Sequence, residues 1–449
     1  MGGLYLSLDW CTASGIMTFP SPILSNIMSS HSCRILPVIL FIFVACWDLT
    51  AITADRVGLQ TEVKVSAPTR IDWVFALSNQ SPVEPPAEWL PGYDSTAQTY
   101  ELYVPKSLKK GESPGLILFI SPGERSTGLE SMRKVCDEKK LLFASPHGAG
   151  NNTDTRKRVR IVLDVLDDLR REFQVDPDRT YIGGFSGGGR IACAIAFSLP
   201  EYFGGVIPVC AAGDLRDETW LQQRVIDRLS VAHLTGESDF NRGEVERFRG
   251  PMLAAVGVRS RVWVVPKTGH AIPAASYLAD AVAWLDEGLP VRRKLAKDYP
   301  ASSASLSGSR KREELAKQQL AEGKLRLGAK GNSFSGLMLV KGVLERWPDL
   351  ATAREAKAIL EKYELGADRD WELEDIAQQR KFLIARARGL SDYATGPLPE
   401  QYAAQRADMA KAASKLWSMV IEDGQDKDAV SEAQKRLVEL KKLAEGDEK

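Results

Sequence analysis

Ser186 lies in the run Gly183-Gly184-Phe185-Ser186-Gly187-Gly188-Gly189, one hydroxyl among five glycines. The run follows Arg179-Thr180-Tyr181-Ile182, which reads as a short buried strand. It precedes Arg190-Ile191-Ala192-Cys193-Ala194-Ile195-Ala196-Phe197, a stretch of good helix formers. A serine between a strand and a helix, with glycine two residues before and two after, fits G-x-S-x-G, the nucleophile elbow. The chemistry it suggests is acyl transfer. The sharp turn crowds its neighbours, so the flanking positions must lack bulk. A helix starting at Gly187 points its free N–H groups where negative charge would develop. The plainer alternative is a glycine-rich phosphate-binding or packing turn.

A serine hydroxyl needs a general base, and the base needs an acid to fix its tautomer. The chain has four histidines. His31 lies in the leader, and His233 sits inside an apolar strand as a core residue. His147 follows a strand end but precedes the serine. His270, in Lys267-Thr268-Gly269-His270-Ala271, follows the last strand and is the expected base. The acid is expected between Ser186 and His270 at a strand end. Asp239, in Gly236-Glu237-Ser238-Asp239, is favoured, with Glu237 and Asp214 as alternatives. The oxyanion calls for two N–H donors. Gly187 supplies one, and Gly123 or Glu124, after an earlier strand, the other.

These residues need a scaffold that delivers them to one edge. Apolar or alternating runs mark strands at Thr99–Val104, Gly115–Ile120, Leu141–Ala144, Arg179–Ile182, Gly205–Cys210, Leu229–Leu234 and Arg261–Val265. Helical periodicity spans Thr155 to Phe173 and Ala275 to Leu285. Short doubly buried strands alternating with helices imply an α/β fold, a mostly parallel sheet sandwiched by helices. Ligands of such sheets sit beyond the carboxyl ends of the strands. Every candidate above falls at such an end.

Composition narrows the rest. The 449 residues carry 59 Lys plus Arg and 59 Asp plus Glu, a balance that favours no nucleic-acid partner. Of the cysteines, Cys11, Cys33 and Cys46 fall in the leader. Cys136, Cys193 and Cys210 are isolated and lack metal-ligand spacing, so neither metal nor cofactor is expected. Residues 1–54 read as a leader, a signal peptide or uncleaved anchor with an apolar core at Ile35 to Ala45 and a sensible start at Met28. Export to the periplasm or beyond follows, with membrane attachment only through an uncleaved leader. Residues 55–97 form a mixed N-terminal segment, 98–298 the sheet domain, and 299–312 a Ser-rich then basic linker. Residues 313–449 are rich in Ala, Glu, Lys, Leu and Arg at helical spacing. They predict a separate all-α domain of four to seven helices, with a helical pair around Trp347-Pro348-Asp349 and no fixed repeat period. Its surface leaves room for a protein partner.

Ser186, Asp239 and His270 on this framework resemble the α/β-hydrolase superfamily. Tyr181 to Gly189, preceded by Phe173-Gln174-Val175-Asp176-Pro177-Asp178-Arg179, resembles its secreted polyhydroxybutyrate-depolymerase and feruloyl-esterase-like branch. The resemblance covers residues 98 to 288. It implies hydrolysis of small-molecule or polymer-linked carboxylic esters through an acyl-serine, without cofactor. Many relatives carry His-Gly after the oxyanion-loop strand, where this chain has Ser121-Pro122-Gly123. A serine peptidase with the same triad, or a non-catalytic hydrolase fold whose helical domain binds a partner, are the rival expectations.

Overall fold

The computed structural model describes residues 56–449 apart from 110, 367, 368 and 446–449. The leader expectations, including Met28 and the first three cysteines, lie outside the described residues. The described residues build eight strands: β1 (Gly58–Lys64), β2 (Thr99–Val104), β3 (Gly115–Ile120), β4 (Leu141–Pro146), β5 (Thr180–Phe185), β6 (Gly205–Val209), β7 (Ser230–Gly236) and β8 (Arg259–Val265). They form one sheet in the order β1-β2-β4-β3-β5-β6-β7-β8. β2 runs antiparallel to both neighbours, and all later pairings are parallel. The central strands are buried along their whole length, which is why they read as continuous apolar runs. β1 had no such signal. It is a mostly polar edge strand that pairs only with β2, through an irregular register between Gln60 and Val63.

Helices cover the sheet: α1 (Leu129–Lys139), α2 (Thr155–Phe173), α3 (Gly187–Ser198), α4 (Thr219–Arg228), α5 (Gly250–Val256), α6 (Ala275–Glu287) and α7 (Leu289–Asp298). α2 is capped by Asp154, whose carboxylate accepts from the Arg156 amide at 2.9 Å. Its second face is polar yet buried. Asp164, Asp167 and Asp168 accept the backbone N–H groups of Thr69, Arg70 and Ser66 at 2.7–2.9 Å. Buried carboxylates thus satisfy the irregular N-terminal segment, which has no ladder of its own there.

Among the described residues seven helices follow: α8 (Arg312–Leu327), α9 (Ser333–Arg346), α10 (Ala351–Glu364), α11 (Asp370–Thr395), α12 (Glu400–Ala403), α13 (Arg406–Asp423) and α14 (Lys427–Glu445). The expected helical pair is α9 and α10. α9 lies on α4 so closely that a Cβ on Gly342 would meet the Trp220 ring at 2.5 Å. One apolar cluster runs from Leu118 and Val206 in the sheet through Trp220 to Phe334, Ile384 and Trp417 in these helices. The Ser-rich stretch before α8 is docked rather than loose. Ser302 and Ser303 are buried, and Arg170 donates to the Ser305 and Gly308 carbonyls at 2.9 Å. Among the described residues, no helix is long and apolar enough to cross a membrane.

Candidate active site

Ser186 sits between the end of β5 and the start of α3, with φ 54° and ψ −123°. This is the left-handed half of backbone space, costly for any residue with a Cβ. Backbone bonds hold it there: the Ser186 N–H donates to the Val209 carbonyl at 2.9 Å, and its carbonyl accepts from the N–H groups of Gly189 at 2.9 Å and Arg190 at 3.3 Å. The glycines are obligatory for tight packing. A Cβ on Gly184 would lie 2.5 Å from the Gly188 backbone, and one on Gly188 would run into the Ile120 carbonyl. α3 can therefore press against β3 and β5, which aims its first N–H groups at the serine.

His270 and Asp239 arrive from loops after β8 and β7. The two loops are laced together: Glu237 N–H donates to the Val265 carbonyl at 2.9 Å and Ser238 N–H to the Thr268 carbonyl at 3.0 Å. Gly236 permits the crossing, because a Cβ there would overlap the Thr268 and Gly269 carbonyls. The result brings together three side chains from distant parts of the sequence. His270 Nε2 lies 3.0 Å from Ser186 Oγ, and His270 Nδ1 lies 2.7 Å from Asp239 Oδ1. The Asp239 carboxylate is fully buried and also accepts from Thr235 Oγ1 at 2.7 Å and from the Asn241 N–H at 3.0 Å. Each of its oxygens is engaged, which orients the carboxylate toward Nδ1 of the imidazole. Phe240 stacks on the imidazole with centroids 4.0 Å apart, and Phe185 packs beside it at 4.9 Å.

The alternative acids lie elsewhere. Asp214 is ion-paired with Arg249, and Glu237 is exposed and accepts the Lys267 N–H at 2.8 Å. The other histidines are also accounted for. His233 is fully buried in β7, and burial pushes its pKa down to about 4. His147 is held by Thr99 Oγ1 at 3.0 Å, with Glu62 at 3.8 Å. Of the two candidate second donors, Gly123 already gives its N–H to Ser121 Oγ at 3.1 Å. Gly187, as the first residue of α3, has no intrahelical acceptor for its N–H.

Four neighbours were not legible in the sequence as site residues. Thr235, Phe240 and Asn241 surround Asp239, and Asn151 lays its carboxamide over Gly187, where any Cβ would overlap it. Arg158 holds that carboxamide by donating to Asn151 Oδ1 at 3.2 Å. Cys210, Asp239 and His270 present donor atoms within 4.8 Å of one another. Burial, followed by the Asp239 charge, pushes the Cys210 thiol up to about 12, so it is a protonated, packed side chain.

The strand order, the antiparallel β2 and the serine turn after β5 make this the α/β-hydrolase fold. No family model matches the sequence, and no curated protein matches it. Solved structures with similarity include a thermostable esterase, at 21% identity and a TM-score of 0.34, over 42% of this chain and 59% of that one. An S-formylglutathione hydrolase from Staphylococcus aureus matches at 12% identity and a TM-score of 0.36, over 51% of this chain and 97% of the other. A thermophilic esterase from Thermogutta terrifontis matches at 17% identity and a TM-score of 0.32, over 45% and 92%. The chain spans under two thirds of the first of these, and at such scores the likeness carries no statement about activity.

Proposed function

We propose that this chain is a serine hydrolase of carboxylic esters. One observation carries the reading. A strained serine at a helix N-terminus hydrogen-bonds a histidine whose other nitrogen meets a fully buried, fully satisfied carboxylate. In the proposed reaction Ser186 Oγ attacks the ester carbonyl carbon while its proton passes to His270 Nε2. Asp239 stabilises the imidazolium so formed. The carbonyl oxygen becomes an oxyanion, met by the Gly187 and Glu124 N–H groups. The tetrahedral adduct collapses, the C–O bond to the leaving group breaks, and His270 returns the proton to the departing alcohol. Water then repeats the sequence on the acyl-serine and releases the acid. No step needs a metal or cofactor.

The resemblance of residues 173–189 to the polyhydroxybutyrate-depolymerase and feruloyl-esterase-like branch directs the substrate choice toward hydroxyacyl and aryl esters. Export through the leader is part of the same reading, supported by the apolar run Ile35 to Ala45. The test is hydrolysis of a panel of short-chain, hydroxybutyrate-oligomer and hydroxycinnamate esters beside matched peptides, with wild type and Ser186→Ala. The reading expects ester turnover that drops by a factor of ~10^4 in the variant. Peptide cleavage without ester cleavage, or full activity in Ser186→Ala, would end it.

A further inference from the structure

The loop that carries the acid is also where the C-terminal helices reach the site. Asp239, Phe240 and Asn241 are consecutive, and each bears on His270. Asp239 takes the imidazole nitrogen, Phe240 covers the ring, and the Asn241 N–H donates to Asp239 Oδ1 at 3.0 Å. Asn241 is buried, and both ends of its side chain are engaged. Nδ2 donates to the Cys210 carbonyl at 2.9 Å, and Oδ1 accepts from the Tyr402 hydroxyl at 3.4 Å. A line of hydrogen bonds therefore runs from Tyr402 in α12 through Asn241, Asp239 and His270 to Ser186.

A second set of contacts holds the same loop. Glu244–Arg249 is a π-helical turn, a rare geometry that recurs at functional sites. α11 and the chain after it press on this turn at glycines. A Cβ on Gly389 would meet the Phe248 ring at 2.6 Å, and one on Gly396 would overlap the Arg247 guanidinium. Arg247 donates to the Asp392 carbonyl at 3.2 Å and the Pro397 carbonyl at 2.5 Å, while Phe248 stacks on Tyr393 at 6.2 Å.

We infer that residues 389–402 clamp the acid-bearing loop 239–249, and that Asn241 and Tyr402 are positioning residues of the hydrolase. The inference rests on the triad reading above. Proton transfer through His270 demands a geometry fixed to within about 0.5 Å. Glu237 and Ser238 tie the start of the loop to the loop after β8, and from Asp239 to the π turn it is held by short-range turn bonds such as Arg242 N–H to the Asp239 carbonyl at 3.0 Å. The clamp adds a long-range constraint on that second part, which gives the helical region a part in the chemistry.

The test uses the full chain. Asn241→Ala keeps the backbone N–H to Asp239 but loses both side-chain anchors. It is expected to lower kcat about tenfold with KM changed less than about twofold. Tyr402→Phe is expected to lower kcat about threefold, and to have no further effect once Asn241 is alanine. The downfield proton resonance of the His270–Asp239 hydrogen bond should broaden in both single variants. A role in folding alone would move only the urea midpoint. Wild-type kcat and an unchanged resonance in both variants, or losses that simply add, would overturn the inference. If Asn241→Ala does not fold, Tyr402→Phe carries the test by the same two readouts. If the wild-type enzyme cleaves no ester, the functional reading fails. The resonance still reports on the clamp.

Discussion

At the residue scale, the site depends on one buried carboxylate with three donors. Asp239 accepts from His270, Thr235 and the Asn241 amide and has no exposed surface. An amide in its place keeps the shape but can present an N–H toward His270 Nδ1, which reverses the imidazole tautomer. Asp239→Asn is therefore expected to lower kcat by ~10^4 with little change in melting temperature. Steady-state kinetics and a thermal melt check this, and a loss under tenfold would contradict it. The meeting of Ser186, Asp239 and His270 was legible because type, order and strand-end position converge on them. Asn241 and Tyr402 were not, because they are 161 residues apart and meet only through packing. The loop after β3 was marked for a second N–H donor, but not that Ser121 Oγ takes the Gly123 N–H.

At the element scale, β7 holds a titration that the chemistry does not use. His233 is buried between β6 and β8, with its pKa at about 4 against an ordinary 6.5. The unfolded chain binds more protons between those two values. The stability owed to a neutral His233 is complete above pH 6.5 and is lost as pH falls toward 4. Between pH 7 and pH 5 this amounts to about 2 kcal/mol. Urea midpoints should fall over that interval, and fall less in His233→Gln. Equal slopes would contradict the assignment. Central strands such as this one were readable from apolar runs alone. The edge strand β1 was not, since its half-buried positions are Gly58, Gln60 and Val63, which give no hydrophobic period to detect.

At the scale of the molecule, buried arginines join the helices to the sheet. Arg346 of α9 donates to Ser81 Oγ at 3.0 Å, Asp72 at 3.1 Å and Glu201 at 3.4 Å, and its guanidinium lies 4.0 Å from the Phe75 ring centroid. Its removal leaves the buried Glu201 with Arg224 as its partner cation at 3.3 Å, and Asp72 with only the Ser81 hydroxyl and the Phe75 N–H. Arg346→Ala should cost about 3–5 kcal/mol. Because the apolar cluster is continuous from sheet to helices, tryptophan fluorescence and far-UV circular dichroism should report one urea transition, shifted down as a whole. Two separate transitions, or an unmoved midpoint, would contradict a shared core. Composition suggested a helical appendage. The buried charges that fasten it, Arg346 against Asp72 and Glu201, are far apart in sequence and carry no local pattern.

The most direct test is chemical trapping. The protein is treated with a fluorophosphonate, digested, and the modified peptide sequenced by mass spectrometry. A nucleophilic serine activated by His270 predicts one phosphonylated residue, Ser186, and almost no label in His270→Ala. Label on another serine, or none on Ser186 in the folded protein, would contradict the account.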